Sequence, residues 1–177
     1  MHTRSGEVPG RAARACAWGA ATLGVASGAV SALWAAGVPF LLETIGGELE
    51  RWGHERSVVS VILLVAIALL KAGVGIAAPL ATGAIPGAPA WTRSRAPRVL
   101  SYIAAIVLVV YGGFLTIGGF VVLGLIGDNP DGADLVAMRW HAFFWDPWFL
   151  LWGILFLIAL ARSRPPRGGR RGPGPLR

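Results

Sequence analysis

The chain has 177 residues, 55% of them hydrophobic and only 14% charged, a balance that fits a membrane protein and not a water-soluble globule. Its net charge of +7 raises a nucleic-acid reading, but the basic residues lie between and after apolar runs and form no stripe with aromatics. That reading is set aside for a cationic rim facing anionic lipid headgroups. Cys16 is the only cysteine, so no internal disulfide can form.

Four apolar stretches follow one another: Ala15–Leu42, Ser57–Leu80, Val99–Gly127 and Trp140–Ala161, of 28, 24, 29 and 22 residues. About 20 helical residues cross a ~30 Å hydrocarbon core, so all four qualify. The expectation is an all-α, four-helix transmembrane bundle. One membrane domain covers residues 15–161, preceded by a tail over 1–14 and followed by a disordered basic tail over 162–177, where Pro165, Pro166, Pro173 and Pro175 alternate with Gly and Arg. The first stretch is about twice the length of a signal-peptide apolar core and is expected to be retained.

In the first span Ala20, Gly24, Gly28, Ala32 and Ala36 recur every four residues. Such a stripe lets a second backbone approach closely, which is how helices associate in lipid. Packing inside the bundle is the expected use, with a homodimer face as the alternative. Pro39 is expected to kink or end this helix. The following loop holds Glu43, Glu48, Glu50, Glu55, Arg51, His54 and Arg56, with Trp52 near the span end.

The second span carries Lys71, the only lysine. A charge mid-span costs at least ~2.5–3.5 kcal/mol on insertion scales, so it faces protein or water. Because side chains lean toward the helix N-terminus, Lys71 points toward the half of the bilayer in which its helix begins. Tyr111 of the third span and Asp146 of the fourth are the partners proposed for it, together forming a candidate polar site. The loop between the second and third spans supplies Trp91, Arg93, Arg95 and Arg98.

The third span is rich in glycine: Gly112 and Gly113, Gly118 and Gly119, and Gly124, with Thr116 between the pairs. Tight helix crossing at Gly112 and Gly113 is expected. Asp128, Asp131 and Asp134 follow it. The fourth span opens on Trp140-His141-Ala142-Phe143-Phe144-Trp145-Asp146-Pro147-Trp148. Asp before Pro is a helix-start pair. Asp146 is therefore expected to cap a helix beginning at Pro147, with Trp140, His141, Trp145 and Trp148 in or beside an interfacial aromatic segment. In a continuous α-helix, His141 and Asp146 would point to nearly opposite faces.

Twelve arginines flank one side of these spans (both tails and the second loop) and three the other. The positive-inside rule places both termini in the cytoplasm, with the chain in the cell membrane. His2, His54 and His141 are the only histidines, and none lies mid-span to hold a haem. His54, His141, Glu43 and Glu48 share one side without any ligand spacing. No metal, cofactor or catalytic set is expected.

The strings LWAAGVPFLLETIGGELERWG (Leu33–Gly53), VYGGFLTIGGF (Val110–Phe120) and WHAFFWDPWFLLWGILF (Trp140–Phe156) resemble a family of small actinobacterial membrane proteins known as domain of unknown function 3995. The resemblance extends over nearly all of Cys16–Ala161. It implies a four-helix membrane domain and carries no activity and no catalytic residue.

Three functions are then in play. The first is a non-enzymatic helix-packing or accessory protein, with the lipid bilayer, a second copy or another membrane protein as partner. The second is a small transporter or channel around Lys71. The third, an intramembrane enzyme, lacks a recognisable nucleophile, metal or cofactor motif.

Overall fold

The computed structural model describes residues 9–126 and 134–163, so residues 164–177 of the expected disordered tail, Asp128 and Asp131 lie outside the described residues, while Arg162 ends the last helix and Ser163 is buried. Helix α1 runs Arg11–Ala36 and α2 Gly47–Glu55. Helix α3 runs Val58–Thr82, α4 Arg95–Ile126, α5 Leu135–Trp140 and α6 Asp146–Arg162. A π-helical turn, His141–Trp145, joins α5 to α6 without a break. Short 3₁₀ turns cover Leu42–Thr44 and Ala90–Arg93. The described residues contain no strand. Four helices are long and apolar enough to cross a membrane: α1, α3, α4 and the α5–α6 rod.

Helix ends follow local chemistry. The first span stops at Ala36, not Leu42, because Gly37 takes a left-handed conformation at φ 87°. The N–H groups of Gly37 and Val38 turn back to donate to Trp34 O and Leu33 O at 3.0 and 2.8 Å, closing orphan carbonyls. Pro39 therefore lies beyond the helix, in the loop. At the far end of α3 Gly83 does the same at φ 76°. Helix α3 starts at Ser57, whose hydroxyl accepts from Ser60 N–H at 3.1 Å.

Each helix packs antiparallel to its neighbour. Against α1, Gly24 faces Gly75 of α3 while Gly28 faces Ala68 and Ala72. Between α4 and α6, Gly112 faces Asp146 and Leu150, and Gly153 faces Leu108 and Val109. Between α1 and α6, Gly24 meets Trp152 and Gly19 meets Leu155. The helices thus run in the spatial order α3, α1, α6, α4, and the α3–α4 edge is splayed. Trp152, Phe156, Leu160 and Ala78 fill the middle of the bundle. Trp34, Leu42, Leu64 and Trp145 fill one end, and Ala17, Ala84 and Ala159 the other.

Candidate functional site

The polar groups inside the bundle gather at two levels. At the middle, Lys71 Nζ donates to Ser31 Oγ of α1 at 3.0 Å and lies 5.5 Å from the centre of the Phe149 ring. Ser31 Oγ in turn donates to Ser27 O, one helical turn away, at 3.4 Å. Trp148 Nε1 donates to Leu23 O at 3.1 Å, tying α6 to α1. Two buried polar atoms of the bundle, Ser27 Oγ and Trp152 Nε1, have no hydrogen-bond partner among the described residues.

Tyr111 and Asp146 do not partner Lys71. The reason is topological: α3 packs on α1, and the open α3–α4 edge keeps Tyr111 away. Phe149 sits between them, with the Tyr111 ring edge-on to it at 5.7 Å while the ammonium approaches within 5.5 Å. Asp146 is engaged elsewhere.

The second level lies at the end of the bundle where α1 finishes. Asp146 is 3% exposed, and its Oδ1 lies 3.2 Å from His141 Nδ1. His141 Nε2 lies 2.8 Å from Ile45 O in the loop after α1. A carbonyl and a carboxylate are both acceptors. Two protons are therefore needed, one on Nε2 and one shared between ring and carboxyl. In that state the imidazole straps the loop to the last span. Trp145 Nε1 donates to Thr44 Oγ1 at 3.1 Å and Trp34 Nε1 to Phe40 O at 2.7 Å, making a second and a third strap.

Asp146 does not cap a helix. Its backbone is helical (φ −74°, ψ −42°) and its N–H donates to His141 O, five residues back. That is the π pattern, and it brings residues i and i+5 into register. In a regular α-helix they would stand far apart, which is why His141 and Asp146 do not look like a pair in the sequence. The widened turn also relieves Pro147, whose ring would clash with a carbonyl of a regular helix.

The small-residue positions are used within the chain. A Cβ on Gly24 would lie 2.5 Å from Trp152 and 2.6 Å from Gly75 Cα, and one on Gly28 would lie 2.8 Å from Ala68 O. Gly112 presses on Leu150 N, where a Cβ would come within 2.4 Å, while Gly113 meets only Leu150 Cδ1 at 3.7 Å. Of the aromatics expected at an interface, Trp145 is 4% exposed. Trp140 packs on Phe144, and Trp148 is bonded into the bundle.

His54 lies 3.8 Å from Glu50 and His141 is turned inward, so the two do not converge. Among the described residues no three of His, Cys, Asp and Glu gather where one metal ion could sit. Ser31, Phe149 and the Ile45 carbonyl are the contributors that sequence reading missed. Ser31 had a signal, since it continues the Gly24–Gly28 stripe seven residues on. The Ile45 carbonyl had none.

Fold and geometry together define a helical bundle of membrane type, cross-tied by polar straps. The family model described as "Protein of unknown function (DUF3995)" matches residues 24–156, and the chain belongs to that family. No curated protein and no solved structure matches it.

Proposed function

We propose that this is a non-enzymatic, multi-pass protein of the cell membrane, with both termini in the cytoplasm, that acts as an accessory protein through helix contacts inside the bilayer. One observation carries the reading. Lys71, His141, Asp146 and Trp148 are bonded within the bundle, whereas α4 offers a long apolar face that no other described residue covers. Ile103, Val107, Val110, Phe114, Ile117 and Val121 repeat at spacings of four and three along it, all more than half exposed, a spacing that lets large side chains interdigitate with a second helix, and close packing of that kind, not apolar area, associates helices in lipid. A photo-crosslinking residue in place of Phe114 tests this in intact cells. Adducts to a second copy or to a discrete membrane protein are expected, and labelling of lipid alone would overturn the reading.

A small transporter or channel is the second reading. It draws on Lys71 within the bundle and on the unsatisfied Ser27 and Trp152 atoms among the described residues, since buried unpaired polar groups are rare and an intramembrane charge is a site hypothesis by default. Reconstituted vesicles whose ion or solute leak is abolished by Lys71→Met would favour it over the accessory role.

A further inference from the structure

Helices α3 and α4 are consecutive, yet they diverge. The gap is a groove of about 500 Å³ walled by Leu70, Gly73, Ala77, Leu100 and Ala104, with Trp91 and Thr92 closing one end. That end is the loop of three arginines. Arg98 is already committed: its guanidinium donates to Leu160 O, Ser163 O and Ser163 Oγ at 2.6, 2.7 and 2.9 Å, at the C-terminus of α6. Arg93 lies along the end of α3, close enough that a Cβ on Gly83 would come within 3.0 Å of it. Arg95, at the start of α4, is exposed. Neither pairs with a carboxylate among the described residues.

We infer that this groove is a binding site for an anionic phospholipid, its acyl chain lying between α3 and α4 and its phosphate held by Arg93 and Arg95. The wall chemistry and the rim charge point to the same occupant. A groove open to hydrocarbon cannot be filled by water without a cost of unsatisfied contacts, and its smooth floor at Gly73 and Ala77 suits a linear chain. Cationic pockets between membrane helices on the arginine-rich side select acidic headgroups. The exposed ring of Trp91 stands at headgroup level, where indoles prefer to lie, and the first turn of α4 adds the positive end of a helix dipole. The inference rests on the membrane reading but not on the accessory role, so failure at Phe114 leaves it standing.

Gly73 supplies the decisive variant, because a Cβ there meets nothing within 4 Å. Gly73→Leu puts an isobutyl group on the groove wall from a position whose Cβ touches no neighbour, and leucine is the better helix former. Purified protein is incubated with phosphatidylglycerol or phosphatidylcholine of identical chains, and retained lipid is counted by native mass spectrometry. The wild type is expected to retain phosphatidylglycerol about fivefold over phosphatidylcholine, a preference of ~1 kcal/mol. Gly73→Leu should lose both lipids while melting like the wild type. Arg93→Gln with Arg95→Gln should keep the phosphatidylcholine level and lose the preference. As a check that needs no plugged groove, phosphatidylglycerol brominated on its acyl chains should quench emission of the wild type more than that of Trp91→Phe. Equal retention of the two lipids by the wild type, undiminished binding by Gly73→Leu, or equal quenching of the two proteins would each overturn the assignment.

Discussion

The seam between α1 and α3 and the edge between α3 and α4 differ first in the small residues they set face to face. At the seam, Gly24 and Gly75 bring two backbones together, and the contact runs along both helices. At the edge, Gly73 faces open space and the helices part. In lipid, apolar area is no reason to associate, since the solvent is as apolar as leucine. What holds helices is close packing and the few polar bonds it permits. Helix α4 makes the same point, because only 6% of its apolar stretch is buried, against 39% for α1. A glycine in a span therefore reports an interface only when another helix stands close opposite, as at Gly24 on Gly75 and Gly112 on Leu150, and not at Gly73.

Gly24→Leu should break this difference most severely. Its new side chain would enter space held by Gly75 Cα and the Trp152 ring, and overpacking of that kind costs ~1–3 kcal/mol or more. Against it stands Gly118→Leu on α4, where a Cβ meets nothing within 4 Å. Thermal unfolding in detergent should show a large loss for the first and almost none for the second. A comparable loss at both sites would mean that glycine serves helix flexibility here and not packing.

His141→Ala ranks next, and it probes the end of the bundle. Removing the imidazole leaves a buried carboxylate and the Ile45 carbonyl without their donor, a penalty of ~1–3 kcal/mol. Asp146→Asn keeps hydrogen-bonding capacity and should cost less. In a double-mutant cycle the pair should show coupling of about 1 kcal/mol or more, read by denaturant unfolding. Additive losses would mean that the 3.2 Å approach contributes nothing.

Much of the fold was legible in the residues. The four spans, their all-helical character and the GxxxG stripe are consequences of apolar length and residue size, which sequence displays directly. The ends were less so: Gly37 stopped α1 six residues before the apolar run ended, because backbone conformation outweighs hydropathy at a boundary. The polar contacts were least legible. Lys71 was marked by its cost, but its partner depended on which helix stands opposite, and nothing local distinguishes α1 from α4. His141 and Asp146 form a pair only because a π turn inserts an extra residue, a backbone choice with no clear signature in the string itself.

Lys71 gives the smallest effect and the sharpest use of magnitudes. Interhelical hydrogen bonds inside membranes average ~0.6 kcal/mol because the separated helices find substitutes. The Lys71–Ser31 bond should be worth about that, with the Phe149 contact adding ~0.5–1 kcal/mol at most. The ~2.5–3.5 kcal/mol cost of a mid-span charge is incurred when α3 enters the bilayer, before the helices pack, so it cancels from the packing equilibrium. Lys71→Met should therefore do two separable things. Insertion of α3 in a translocon reporter should improve, while unfolding of the assembled bundle should become easier by about 1–1.5 kcal/mol. Ser31→Ala should show only the hydrogen-bond share of that second effect, about 0.6 kcal/mol, since it removes the same bond and leaves the charge over Phe149. A loss of several kcal/mol in Lys71→Met with none in Ser31→Ala would mean that the ammonium's main partner is not Ser31 but a bound water or anion. It would then make the middle of the bundle a ligand site and not a strap.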